Sequence, residues 1–120
     1  MKSKVSVIGA GNVGAEVARR LAEKELANVI LVDVLEGIPQ GKALDMLQAG
    51  PVAGYNALVT GTNELSEIKG SDMVVMTAGL ARKPGMSRDD LLKKNAEIIR
   101  SVTAKIKEYA PDSIILMVTN

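Results

Sequence analysis

Gly9, Ala10, Gly11, Asn12, Val13 and Gly14 follow directly on the short run Val5–Ile8 and open a stretch of helical spacing. That placement constrains the fold more than any other feature. A chain leaving a strand and entering a helix within so few residues needs glycine, because a side chain blocks the turn or the contact of helix with strand. Glycine makes up 11 of the 120 residues, so the spacing alone is weak and a flexible turn accounts for it equally well. The surrounding pattern has to decide.

Further apolar runs recur along the chain. Val29–Val32, Leu58–Thr60, Met73–Met76 and Ile114–Val118 read as strands two to five, after Val5–Ile8. They are nearly continuous apolar runs, as expected of parallel strands covered on both faces. Helical spacing fills the gaps. Val13, Val17, Ala18 and Leu21 form one stripe, and Ala43, Leu44 and Leu47 group on a helix expected over about Ile38–Gln48. A third helix is expected after Ser87, which with Asp90 resembles a capping box. Leu92, Ala96, Ile99, Val102, Ile106 and Tyr109 recur along it, and Pro111 stops it.

This order predicts an α/β protein, a Rossmann-type doubly wound parallel sheet with helices on both faces. Right-handed crossovers give the strand order 3-2-1-4-5. Residues 1–120 fit one dinucleotide-binding domain, with no internal repeat or linker. In that setting each glycine acquires a role. Gly9 makes the tight turn, Gly11 leaves the backbone open to a pyrophosphate, and Gly14 lets helix and strand approach. The helix N-terminus offers free N–H groups and the positive end of its dipole. Asp33 follows the second strand, about twenty residues beyond the glycines, where a carboxylate can accept both ribose hydroxyls. Its charge repels a 2′-phosphate, so NAD is expected rather than NADP.

Composition narrows the other classes. Fifteen basic and fourteen acidic residues leave a net charge of +1, which gives no electrostatic reason to expect nucleic acid or an anionic membrane. Two tyrosines are the only aromatics, too few for a base-stacking platform. No cysteine is present, which removes disulfides, thiolate chemistry and Cys-bound metal. The N-terminal apolar run is too short for a signal core or a membrane span, and a cytoplasmic location is expected. There is also no histidine.

After the fourth strand comes a loop of Ala78, Gly79, Leu80, Ala81, Arg82, Lys83, Pro84, Gly85 and Met86, leading to Ser87 and Arg88. It carries three cations and no acid, and it leaves the sheet at the edge where such folds bind ligands. Two arginine forks suit a dicarboxylate, while a solvated basic loop explains the composition as well.

The stretches VIGAGNVG, LVDVLEGIPQGKALDM, ARKPGMSRDDLL and MVTN, in this order, resemble the NAD-dependent malate dehydrogenases of the lactate-dehydrogenase-like group. Arg82 separates the resemblance from lactate dehydrogenase, which usually has glutamine there. The resemblance implies the malate–oxaloacetate exchange of the tricarboxylic acid cycle. It implies that Arg82 binds the distal carboxylate of malate or oxaloacetate and that Arg88 polarises the reacting carbonyl as the loop closes. It also implies cofactor contacts from Thr77, Ala78 and Gly79 near the adenosine and pyrophosphate, and from Asn95 on the following helix. Val118, Thr119 and Asn120 would line the nicotinamide side, Asn120 also reaching substrate.

The family's general acid/base is a histidine oriented by an aspartate, aided by a further arginine, and all three would follow Asn120. The chain is therefore expected to be a cofactor-binding half without its catalytic domain, binding NAD or NADH without efficient turnover. The open edge of the fifth strand, and the segment Gly41–Gln48 that packs between subunits in intact relatives, lead to an expectation of self-association. A free-standing minimal or reconstructed nucleotide-binding module is the alternative. A methyltransferase accounts for the glycine turn and the acid but gives no use to Arg82–Arg88.

Overall fold

The computed structural model describes residues 2–119. Five strands, β1 (Lys4–Ile8), β2 (Asn28–Val32), β3 (Val59–Thr62), β4 (Met73–Met76) and β5 (Ile114–Met117), form one sheet. Every pairing is parallel, in the order β3-β2-β1-β4-β5. Three α-helices, α1 (Asn12–Glu23), α2 (Ile38–Ala53) and α3 (Arg88–Tyr109), supply crossovers, and a single 3-10 turn at Leu65–Ile68 leads into β4. None of the described helices is long and apolar enough to cross a membrane.

Side chains alternate between two cores. Val5, Val7, Val29, Leu31, Val59 and Val75 meet Ala18 and Ala22 of α1 and Ala43 and Met46 of α2. Ile8, Val32, Val74 and Met76 meet Ile68, Ile106 and Ala110 on the opposite face. Because both faces are covered, the strands lack polar alternation. Burying a side chain such as Leu31 or Met76 contributes about 1.5–3 kcal/mol. The one polar inward residue of β1, Ser6, is satisfied by the Ser71 hydroxyl at 2.6 Å, which itself bonds to the Ile68 carbonyl.

Helix α1 uses smaller residues against the sheet than its sequence pattern predicts. On α1 the buried residues are Gly14, Ala18 and Ala22, whereas Val13 is 55% exposed and Val17 and Leu21 lie half-buried on the flank. A Cβ at Gly14 would stand 1.7 Å from the Gly9 carbonyl oxygen, so α1 lies too close for a larger side chain. Helix α2 also turns Leu44 and Leu47 outward, and it buries the large Met46 together with Pro39, Ala43 and Gly50. Gly61 of β3 permits its approach, since a Cβ there would lie 2.1 Å from the Pro39 carbonyl oxygen. Helix α2 also runs five residues past Gln48, through Pro51, to a left-handed Gly54 with φ +85°. Pro51 removes one bond, to the exposed Leu47 turn, where water can replace it.

Ser87 caps α3 as predicted: its hydroxyl accepts from the Asp90 N–H while the Asp90 carboxylate accepts from the Ser87 N–H. The inner stripe begins later than expected. Leu92 and Ala96 are exposed, and Ile99, Val102, Ile106 and Tyr109 pack on the sheet. Strand β3 starts one residue after Leu58, and all four residues of β5 are exposed at the sheet edge.

Candidate nucleotide-binding site

The register aligns the ends of the strands. Ile8 pairs with Val32 on one side and Met76 on the other, Val32 with Thr62, and Met76 with Met117. The next residues therefore stand in a row along the carboxyl edge: Asn63, Asp33, Gly9, Thr77 and Val118. Backbone bonds carry the ladder one step further, from Gly9 N–H to Val32 O at 2.8 Å and from Thr77 N–H to Ile8 O at 2.8 Å. The chain runs from β1 outward through β2 and β3, then returns to the other side of β1 as β4. The crevice between the two directions lies at Gly9 and Thr77, where open α/β sheets bind ligands.

Each glycine of the turn has a different reason to be glycine. Gly9 adopts φ +105°, and a Cβ there would meet Thr77 Oγ1 at 2.6 Å and Ala78 N at 2.8 Å. Gly14 is dictated by the closeness of α1 to Gly9. Gly11 has neither constraint: its φ is −71°, and a Cβ would have nothing within 4 Å. Nothing in the chain forbids a side chain at Gly11, yet one would occupy the space in front of the helix. As N-cap of α1, Gly11 makes no side-chain cap, and the first helical bond runs from Ala15 N–H to Gly11 O at 3.0 Å. The N–H groups of Asn12, Val13 and Gly14 thus have no acceptor inside the helix. Backbone donors, the positive end of the helix dipole and an unobstructed approach suit a diphosphate.

Asp33 is held beside that turn. Its Oδ2 accepts from the Ala10 N–H at 2.7 Å and its Oδ1 from the Leu35 N–H at 2.9 Å. A carboxylate has about four lone-pair sites, so two remain for sugar hydroxyls. Asn63, not anticipated from sequence, braces the loop by donating from Nδ2 to the Asp33 carbonyl at 2.8 Å and the Leu35 carbonyl at 3.1 Å. Gln40 links to Asn63 at 2.6 Å and accepts from the Gly37 N–H at 3.0 Å. Lys42 donates to the Ala10 carbonyl at 2.5 Å. Gln40 fills the local N3 capping position of α2, whereas Lys42 and Asn63 reach the site only through their position on α2 and after β3.

On the β4 side, the Thr77 hydroxyl reaches the carbonyls of Ile8 at 2.9 Å and Gly9 at 3.1 Å. Thr119 donates to the Ala78 carbonyl at 3.0 Å, and Gly79 faces Thr119 and Asn95. Val118 N–H extends the ladder to Met76 O at 2.8 Å. Asn95 is 1% exposed, and its amide accepts from Leu80 N–H at 2.8 Å and donates to Leu80 O at 3.4 Å. It therefore anchors the start of the arginine loop. Arg82 stands exposed within that loop and Arg88 at the start of α3, with Arg82 Nε donating to Met86 O at 3.1 Å. Among the described residues neither arginine bonds to the glycine turn. Asn120 lies outside the described residues, and the same residues hold no acidic cluster able to bind a metal ion.

The family model for the lactate/malate dehydrogenase NAD binding domain matches residues 3–120. A malate dehydrogenase of Methanosarcina barkeri is 57% identical over 118 residues, covering 98% of this chain and 38% of that protein. One from Bacillus subtilis is 59% identical, covering 99% of this chain and 39% of its own length. The solved malate dehydrogenase of Picrophilus torridus superposes with a TM-score of 0.96 at 50% identity, covering 100% of this chain and 39% of that one. A lactate dehydrogenase of Cryptosporidium parvum, solved with lactic acid and nicotinamide adenine dinucleotide, superposes at 0.92 and 40% identity over 100% and 38% of the two chains. The chain thus spans about two fifths of the length of these relatives. It belongs to the lactate/malate dehydrogenase NAD-binding domain family, whose cofactor is NAD.

Proposed function

We propose that residues 1–120 form one dinucleotide-binding unit that presents NAD for hydride exchange between malate and oxaloacetate when joined to a catalytic partner domain. The carrying observation is the juxtaposition at the glycine turn. Asp33 stands 2.7 Å from the Ala10 amide, beside a Gly11 whose glycine identity no contact in the chain explains. The amides of Asn12, Val13 and Gly14 would take the diphosphate, with Gly9, Ala10 and Gly11 leaving room for it. Asp33 would hold the adenosine ribose. Thr77, Ala78, Gly79, Asn95, Val118, Thr119 and Asn120 would border the remainder of the cofactor. NAD, when bound, supplies the hydride acceptor.

Arg82 and Arg88 would bring charge to the substrate. Arg82 supplies a second carboxylate-binding fork, which favours a dicarboxylic acid over lactate. The chain contains no histidine, and proton transfer by a placed side chain is worth roughly 10²–10⁴ in rate. On this reading the 120 residues bind cofactor without efficient turnover, work in the cytoplasm, and associate with themselves through the open β5 edge or the outward leucines of α2. Titration with NADH, followed by its fluorescence, tests the reading on the unmodified chain and on Asp33→Ser. Binding that weakens at least about tenfold in the variant supports it. Equal binding by the two proteins, or none by the unmodified chain, overturns it. Oxaloacetate added to the same cuvette reads turnover directly.

A further inference from the structure

The cation nearest the glycine turn does not come from the arginine loop. Lys42, on the second turn of α2, extends its ammonium to the Ala10 carbonyl at 2.5 Å across 32 residues of sequence. It lies half-buried in the groove between α1 and α2, lined by Asn12, Ala15, Glu16, Arg19, Asp45 and Met46. The two carboxylates of that groove are engaged elsewhere: Glu16 pairs with Arg20 at 2.9 Å, and Arg19 reaches both Glu16 and Asp45 at 3.9 Å. Among the described residues no carboxylate comes within ion-pair distance of Lys42. Its ammonium is therefore set against a neutral carbonyl, with no direct ion pair, beside the turn.

Ala10 is consequently gripped at both ends, by Asp33 at its N–H and by Lys42 at its C=O. A peptide group is planar and trans, so fixing the Ala10 carbonyl also fixes the Gly11 N–H, which points the opposite way. Gly11 has no side chain to anchor it, and its carbonyl is held only by the Ala15 N–H on the helix side. Asp33 holds the preceding Gly9–Ala10 peptide through the Ala10 N–H, so Lys42 is the side chain that holds the Ala10–Gly11 peptide itself.

We propose that Lys42 is a positioning residue for the diphosphate of the cofactor: it locks the Ala10–Gly11 peptide and brings a positive charge without a direct ion-pair partner to the turn. The inference rests on the cofactor reading above. Lys42→Met keeps the length and apolar stem of the side chain and removes the ammonium. The expected result is NADH binding about tenfold weaker, as for loss of one hydrogen bond to a charged group. The Gly11 amide ¹⁵N resonance moves as well, because its peptide carbonyl has lost a charged donor. Lys42→Arg, which retains charge and donor, returns affinity to within about threefold of the original.

A Met variant that binds NADH as tightly as the unmodified chain overturns the inference. So does one that binds weakly with the Gly11 resonance unmoved, since the loss then arises elsewhere. If the Met variant does not fold, the unmodified chain carries the test. A hydrogen-bonded Lys42 gives a slowly exchanging ¹⁵Nζ ammonium signal that shifts on adding NADH, and absence of that signal overturns the role. Failure of the unmodified chain to bind NADH removes the cofactor reading as well, whereas binding that ignores Lys42 removes only this inference.

Discussion

Replacing Gly11 and Gly14 separately by alanine distinguishes a ligand-shaped glycine from a packing glycine. At Gly14 the new methyl would stand 1.7 Å from the Gly9 carbonyl oxygen, 2.7 Å from Thr77 Oγ1 and 2.8 Å from the Gly9 carbonyl carbon. All are rigid or semi-rigid neighbours, so α1 must shift off the sheet. Overpacking of this kind costs about 3 kcal/mol, toward the upper end of its usual range. For a chain of this size that lowers the melting temperature by roughly 10 °C. At Gly11 the methyl meets nothing within 4 Å, and the φ of −71° is open to any residue. Alanine is a poorer N-cap than glycine by about 0.5–1 kcal/mol, but it removes about 0.4–1 kcal/mol of unfolded-state freedom. The two offset, and melting should change by no more than about 2 °C. Binding should respond in the other sense. The Gly11 methyl enters the approach of the diphosphate to the helix amides, and NADH affinity should fall at least about tenfold. Thermal unfolding by circular dichroism and NADH fluorescence titration on both variants read the two axes. A Gly11→Ala protein that binds NADH normally, or a Gly14→Ala protein that melts normally, refutes the reasoning.

Other consequences follow from single contacts. Asp33→Ser removes the charge that repels a 2′-phosphate, so the NADPH-to-NADH affinity ratio should rise about tenfold by competitive titration; an unchanged ratio contradicts the ribose assignment. Asn95→Ala deletes a buried amide holding both polar groups of Leu80. It should cost about 1–3 kcal/mol and speed tryptic cleavage at Arg82, and an unaltered digestion rate argues against the anchoring role. The exposed β5 edge should drive concentration-dependent association seen by light scattering, and Leu116→Lys should suppress it. A monomer at high concentration before any substitution contradicts that expectation.

The parts of the site legible in the sequence are those whose chemistry is local. Gly9, Gly11 and Gly14 sit within one turn, and Asp33 ends a strand whose apolar run is plain, so spacing and the strand–helix–strand context together place the carboxylate beside the amides. The Ser87–Asp90 cap is equally local. Legibility fails where two distant segments decide together. Val13 and Leu44 read as core residues by helical period, yet close backbone contacts at Gly9–Gly14 and Pro39–Gly61 fix the helices with these side chains turned outward. Lys42, Asn63 and Gln40 look like ordinary surface polar residues until the parallel register sets the ends of β1, β2 and β3 side by side. The 3-10 turn at Leu65–Ile68 is too short to show a period, and only the burial of Ile68 under the sheet reveals its purpose. Asn95 reads as a cofactor ligand by resemblance, and the structure shows it also tying down the loop that carries Arg82.

A crystal structure of the chain with NADH tests the whole account most directly. Diphosphate oxygens should lie within hydrogen-bond reach of the N–H groups of Asn12 and Val13, with both adenosine ribose hydroxyls on Asp33. A cofactor bound away from the first turn of α1, or ribose hydroxyls that leave Asp33 untouched, would contradict it.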